Sequence, residues 1–246
     1  MELMLTLKKG SALRVRYLIK FTKGAELKFL AHLDLMRTIQ RVVRRTGLSA
    51  AYSKGFNPHM ALSIAQPLPV GVYSLGDYLD VELMEEVEEE RLINLLNESS
   101  LPGIIFKSAV KVPEGEGKKI PQGMALLDAA RYTLKLRYKG DEIVSELSAL
   151  MDKSELITEK KSKKGIKEVD IRPMIKELKF WIKDNYLVIN ALLSCGSREN
   201  LSPELLAAYL KENLPSADKE AFTEICREEM YALRENKLVN LITYVS

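Results

Sequence analysis

The order of apolar periods along the chain predicts an α+β protein made of two tandem βαββαβ units. Three observations carry this. Segments that alternate with a period of two, and segments whose apolar residues recur at three and four positions, follow one another in the same order in each half. A stretch rich in Gly, Pro and charge, PEGEGKKIPQG at 113–123, separates the halves. The chain has 246 residues, 46% of them hydrophobic, which is enough apolar material for a full core and sets it apart from disordered sequences.

In the first half, LRVRYLIKFTK (13–23) alternates as a strand, with Val15, Tyr17 and Ile19 on one face and Arg14, Arg16 and Lys20 on the other. Leu33 to Thr46 reads as a helix whose apolar stripe is Leu35, Met36, Ile39, Val42 and Val43, closed by Gly47 just past its end. MALSIAQPL (60–68) and DYLDVELM (77–84) are strands. EEVEEERLINLLNESS (85–100) is a helix with carboxylates in its first turns, where the helix dipole favours them, and GIIFKSAVKV (103–112) is the last strand. This β-α-β-β-α-β order is that of a ferredoxin-like unit.

The second half repeats the order. ARYTLKLRYK (130–139) is a strand and GDEIVSELSALMDK (140–153) a helix. ELITEKKSKKGIKEVDI (155–171) is a hairpin turning at Lys163–Gly165, and ELKFWIKDNYLVINALLS (177–194) a hairpin turning at Asp184–Asn185. SPELLAAYLKENL (202–214) is a helix with Ser202 as N-cap and Pro203 in the first turn. The tail from 222 fits a helix or a strand, a turn at Glu235–Asn236 and a strand; the strand reading makes the halves alike. The expected organisation is a first unit over 1–112, a linker over 113–127 and a second unit over 128–246.

Several function classes have no signature in the sequence. No apolar run approaches the roughly 20 residues of a membrane span, and the N-terminus lacks the order of a signal peptide, so a cytoplasmic location is expected. There is no phosphate loop, dinucleotide fingerprint or nucleophile elbow. The two cysteines, Cys195 and Cys226, are too few for an iron–sulfur cluster, so no cofactor is expected. Net charge is only +3 but is blocked: residues 1–60 carry 12 Lys and Arg against 3 Asp and Glu, and residues 61–117 carry 3 against 11. A basic face of this kind suits a polyanion; charges that merely solvate helix faces give the same count.

The chemistry concentrates between residues 30 and 71. Arg37, Arg41, Arg44 and Arg45 form a stripe on the helix opposite its apolar face. Four like charges repel one another, and phosphates would relieve that repulsion; pairing of Asp34 with Arg37 on a solvated face is the plainer account. The loop AAYSKGFNPH follows. Tyr52 and Phe56 offer stacking planes, Lys54 a charge, Gly55 a backbone without a Cβ, Asn57 an amide and His59 a donor or acceptor. The same aromatics could instead pin the loop to the core. Both histidines of the chain, His32 and His59, lie in this region, which raises a metal site or an acid–base pair, but no spacing of metal-ligand type accompanies them and no metal is expected. A second basic focus, Lys160, Lys161, Lys163, Lys164 and Lys167, crowds the hairpin turn in 159–173 and reads as a solvated tip or a backbone clamp, while Asp170 could hold Arg172 in place.

FLAHLDLMRTIQRVVRR and AYSKGFNPHMALSIAQPLPVGVYSLGDYLDVEL resemble the radical SAM-linked protein family, a bacterial domain of unknown function fused to or encoded beside a cobalamin-binding radical SAM protein. The likeness is specific over residues 14–85 and looser through VDIRPMIKEL and the final third. It implies a radical SAM protein as partner, rather than an activity, and supplies no catalytic residues. The architecture of two ferredoxin-like units with a basic helix is similar to the RAMP superfamily of RNA-processing proteins, without the Gly-rich loop those carry near the C-terminus. The expected function is a non-catalytic RNA-binding adaptor that presents rRNA or tRNA to a radical SAM enzyme. In it, Arg37, Arg41, Arg44 and Arg45 hold phosphates, Tyr52, Phe56 and Asn57 meet bases, Lys54 and His59 position the strand, and Lys163 and Lys164 belong to the backbone clamp. Two alternatives stand beside it: a subunit docking an acidic protein surface without RNA, and a ribonuclease-like enzyme using His32 and His59.

Overall fold

Alternating strands with one apolar face need helices to cover that face, and the chain supplies both in alternation. The computed structural model describes residues 13–113, 119–162 and 165–246. The elements run β1 (Val15–Lys23), α1 (His32–Arg45), β2 (Leu62–Ile64), β3 (Val72–Leu83), α2 (Glu89–Glu98) and β4 (Ile104–Lys111). They continue with α3 (Gly123–Leu126), β5 (Leu127–Arg137), α4 (Ile143–Met151), β6 (Ile157–Ser162), β7 (Gly165–Asp170), β8 (Ile175–Lys183), β9 (Tyr186–Ser194), α5 (Pro203–Asn213), β10 (Glu224–Arg234), β11 (Lys237–Asn240) and α6 (Leu241–Val245). The result is a mixed α+β protein with one large, mostly antiparallel sheet.

The sheet runs β4-β1-β3-β10-β5-β9-β8, with β2 added to β3 and β11 to β10. In the first half the spatial order is β4-β1-β3-β2, and in the second β10-β5-β9-β8, each antiparallel throughout. The halves meet where β10 lies parallel to β3 over Val72 to Ser74. One core packs α1 (Leu35, Ile39, Val42, Val43) and α2 (Leu92, Leu96) on Tyr17, Ile19, Phe21, Leu79 and Val81. The other packs α4 and α5 on Tyr132, Leu134, Ile189 and Leu193 and reaches Leu18 and Tyr78 of the first half. α6 packs on β10 and also on β1 and β4, so the chain's last helix ties the halves together. The hairpin β6–β7 stands apart as a two-stranded sheet.

Turn chemistry accounts for the connections. Asp184 and Asn185 have φ of 50° and 61°, and Glu235 and Asn236 have 50° and 63°, the left-handed pairs that two-residue hairpins need. The tail is therefore strand, turn and a four-residue strand rather than a single helix, and it closes in the short helix α6, which Asn240 caps, where the strand reading continued. Ser202 caps α5 by accepting from the Leu205 N–H, with Pro203 in its first turn. α1 begins at His32 on an uncapped Ala31, so Asp34 lies inside the first turn rather than at the cap. Asp170 Oδ1 accepts from the backbone N–H of Arg172 and of Leu156, both at 2.9 Å; it fixes the base of the hairpin through backbone groups, not through the Arg172 side chain. Two strands differ most from their sequence expectation. β3 starts at Val72 rather than at Asp77, because β10 gives residues 72–74 a partner. The strand expected over 60–68 shortens to Leu62–Ile64, because the chain after it turns to meet Arg227. Of the stretch expected as linker, Ile120 and Gly123 are tied to the first half, where Arg16 Nη2 donates to the Ile120 carbonyl at 2.6 Å and the Gly123 N–H to Asp80 Oδ2 at 2.7 Å, while Leu127 already belongs to β5.

The seam between the halves is built on buried charge. Arg227 of β10 is 1% exposed and Asp77 of β3 is fully buried. Arg227 Nη1 donates to Asp77 Oδ1 at 2.9 Å and to the Gln66 carbonyl at 3.1 Å, and Nη2 donates to the Pro67 carbonyl at 3.1 Å. Ser74 Oγ donates to the same Asp77 oxygen at 2.9 Å. Burial disfavours the Arg227 charge, but Asp77 with Tyr132 and Cys195 outweighs it and holds the guanidinium above its ordinary pKa. Lys23, also fully buried, donates from Nζ to the carbonyls of Leu30 (2.9 Å), Lys28 (3.2 Å) and Val72 (3.3 Å). Burial lowers its pKa and Asp77 opposes the shift.

Removing one partner of a buried pair strands the other charge. Asp77→Ala should therefore cost about 3–5 kcal/mol of unfolding free energy. Asp77→Leu with Arg227→Met should recover part of that loss, as read by urea denaturation; a single variant within about 1 kcal/mol of wild type would show that the pair does not hold the seam. Gly76 gives a second test. A Cβ there would lie 2.4 Å from the Glu228 carbonyl oxygen, a backbone atom that cannot swing away. Gly76→Ala should destabilise by about 1–3 kcal/mol through forced separation of β3 and β10, measured in the same way.

Candidate nucleic-acid interface

The apolar stripe of α1 docks the helix, which leaves its other face to solvent. Arg37, Arg41, Arg44 and Arg45 are all exposed. Asp34 does pair with Arg37, at 3.2 Å, but across two exposed side chains, so the pair is weak. Arg44 Nε donates to the Gln40 carbonyl one turn back, at 3.3 Å, and Arg45 Nη1 to the Ser99 carbonyl beyond α2, at 3.1 Å. Arg41 has no partner among the described residues. The helix ends in order: Thr46 Oγ1 donates to the Val43 carbonyl, and Gly47 takes φ of 77°, which L side chains rarely adopt.

The loop that follows has buried ends and an exposed middle. Ala51 and Met60 are buried, and every residue from Tyr52 to His59 is exposed. Its base is closed by the bridge between Tyr52 and Met60. The Ser53 N–H donates to the His59 carbonyl at 2.8 Å, and the His59 N–H to Ser53 Oγ at 2.9 Å. Beneath, the Ala51 N–H donates to the Glu82 carbonyl of β3, and Arg14 Nη2 donates to the Tyr52 carbonyl at 3.1 Å. Gly55 has φ of 132° and open space where a Cβ would sit, so glycine is needed there for backbone shape rather than for room. Phe56 is fully exposed, which sets aside the account in which it pins the loop to the core; Lys54 and Asn57 flank it in solvent.

The structure brings Tyr52, Lys54, Phe56, Asn57 and His59 into one closed loop and the arginines onto one helix face. It gives the two histidines different surroundings. His59 is exposed at the loop base, whereas His32 Nδ1 is buried without a hydrogen-bond partner; burial holds its pKa below the usual range, with Asp77 opposing. No hydrogen bond joins His32 to His59 among the described residues. Nor do the described residues contain a group of three or more His, Cys, Asp or Glu placed to hold a metal ion. Lys163 and Lys164 lie outside the described residues; of the same basic focus, Lys160 Nζ donates to the Asn200 carbonyl and Lys167 is exposed on β7. The buried cluster at the seam was missed from the sequence. Its one signal is phase: Arg227 stands two residues after Ile225, in the position the strand's alternation reserves for the core.

Comparison with known proteins adds a family and no activity. No curated protein matches the chain. Among solved structures, the "Crystal Structure of an Unknown Protein from Galdieria sulphuraria" aligns over 88% of this chain and 98% of that one, at 10% identity and a TM-score of 0.26. A family model covers residues 16–203, which take in both the arginine helix and the exposed loop. The chain thus belongs to the family described as "Uncharacterized protein conserved in bacteria (DUF2344)".

Proposed function

We propose that the protein is a non-catalytic RNA-binding adaptor, reading bases with the 52–59 loop and phosphates with the exposed face of α1. The observation that carries this is Phe56, fully exposed at the tip of a loop whose base is closed by backbone bonds. An aromatic ring in water contributes nothing to folding, and the hydrogen-bonded base fixes where the loop emerges. A neighbouring Lys54 and Asn57, and a helix carrying Arg37, Arg41 and Arg44 in solvent, supply the charge and the amide that a stacked, single-stranded segment uses.

The architecture suits the reading. Each half has the spatial strand order fourth, first, third, second, and we take each as a ferredoxin-like unit, with an overall likeness to the RAMP superfamily as analogy only. The enzyme served by the adaptor would be a radical SAM protein; that step rests on the resemblance of the helix and loop motifs. Docking of the same surface on an acidic protein is the competing reading, and nuclease treatment separates the two.

The side chains concerned are exposed, so their substitution should leave the fold intact by circular dichroism. Phe56→Ala should weaken binding of single-stranded RNA by about 1–3 kcal/mol, the range for loss of one stacked base. Arg41→Glu with Arg44→Glu should weaken binding across sequences and flatten its salt dependence, by roughly 0.7–0.9 in the log–log slope for each phosphate the helix no longer neutralises. Unchanged affinity in both variants, by fluorescence anisotropy, would overturn the reading; a partner protein retained after nuclease digestion and released by the arginine substitutions would replace it with protein docking.

A further inference from the structure

A cavity of about 260 Å³ opens at the seam between the halves, away from the loop and the arginine helix. Its walls are mostly apolar, with Gly71 just before β3 and Val72 at its start, Ala207 from α5, Phe222 on the approach to β10 and Ile225 within it. Two features depart from an ordinary surface dimple. Glu204, in the first turn of α5, lines the cavity with its Oε1 buried and without a hydrogen-bond partner. At the rim, Phe222 is 54% exposed and Phe29 64% exposed, their ring centroids 6.1 Å apart. Lys28 Nζ lies 4.9 Å from the Phe222 centroid and 5.3 Å from that of Phe29.

Glu204 thus offers an acceptor without a donor, the walls are apolar and aromatic, and Lys28 stands as a cation beside the rim; Lys211, the cation within the lining, is already engaged by the carbonyls of Lys219 and Ala221. A ligand that complements all three is flat and apolar in its body, carries hydrogen-bond donors at one edge and a negative charge at its other end. A nucleotide has these features, with the base toward Glu204 and the phosphate toward Lys28. A carboxylate selects bases that present N–H groups, and guanine presents two side by side, at N1 and N2. We propose that this cavity is a guanine-nucleotide site, in which Glu204 accepts from the base edge, Phe222 packs on the base and Lys28 meets the phosphate. The walls are set before any ligand arrives. The Gly71 N–H donates to the Lys28 carbonyl at 2.8 Å, and the buried Lys23 gathers the carbonyls of Lys28, Leu30 and Val72. Gly71, at φ of 93°, takes a conformation that L side chains rarely adopt. This site stands apart from the RNA-binding surface proposed above and does not depend on it.

Isothermal titration of the full chain with guanosine 5′-monophosphate tests the assignment. Adenosine 5′-monophosphate, which presents an acceptor at N1, should bind at least about tenfold more weakly. Glu204→Gln, nearly isosteric, should erase that preference while retaining the fold, and Phe222→Ala should weaken both nucleotides together. Lys28→Ala should weaken the monophosphate and leave guanosine unchanged. The Arg41→Glu, Arg44→Glu variant should bind the nucleotide as wild type does, so failure of the RNA surface and failure of this pocket give different results. No heat with guanosine 5′-monophosphate at millimolar concentration, equal affinity for the two nucleotides, or Glu204-dependent binding of a free amino acid in their place would each overturn the proposal.

Discussion

The arrangement of the two halves depends on one buried ion pair. β10 and β3 share only three residues of parallel ladder, too little by itself to fix how one half sits on the other. Arg227 resolves this through its planar fork of donors, which reaches Asp77 and the carbonyls of Gln66 and Pro67 together. The net stability of such a pair is small, because both charges have lost their water. Its effect is to make alternatives costly. A shift of β10 along β3 would leave a guanidinium in the core without acceptors, a far larger penalty than the disruption of some apolar packing.

The same pair explains a stretch that looks like recognition chemistry in the sequence. AQPLPVG follows a short strand and is dense in proline. Proline has no N–H to satisfy, and its fixed φ holds the chain extended, so the segment presents carbonyls inward at little cost in ordering. Gln66 and Pro67 do this toward Arg227. What reads as one dense region from residue 30 to 71 therefore divides in two. The outer face of α1 and the loop at 52–59 lie in solvent, whereas from Met60 the chain enters the core through β2 and then offers the Gln66 and Pro67 carbonyls to Arg227.

Legibility in the sequence follows the range of the forces involved. Helices and strands were legible because their apolar periods are local, and the hairpin turns because left-handed backbone at Asp184–Asn185 and Glu235–Asn236 is a property of two neighbouring residues. The arginine stripe was legible for the same reason: positions on one helix face follow from spacing alone. The exposure of Phe56 was not, since a loop aromatic is equally consistent with a core contact until the loop's closure is known. Least legible was the seam, where Arg227 meets Asp77 across 150 positions. Alternation placed Arg227 on a core-facing phase, but nothing local names the carboxylate and the two carbonyls that make that position tolerable. Ends of strands suffered likewise: β3 begins at Val72 rather than Asp77 because its partner there is a strand from the far end of the chain.

The seam's second buried cation extends the argument from fold to surface. Arg227 anchors the segment at 66–67, and Lys23 anchors the carbonyls of Lys28, Leu30 and Val72, so both loops that border the 260 Å³ cavity are tied to charges with no access to water. Loops held this way lose little further freedom when a ligand binds, which is where affinity in a small site is otherwise spent. The exposed loop at 52–59 is built on the opposite principle: its base is closed by backbone bonds, and its tip rests on nothing. A tip of that kind adapts to a flexible partner, whereas a cavity with fixed walls selects among rigid ones by shape and by the direction of a few hydrogen bonds. The chain therefore offers two surfaces of different character, and the difference follows from where its buried charges are placed.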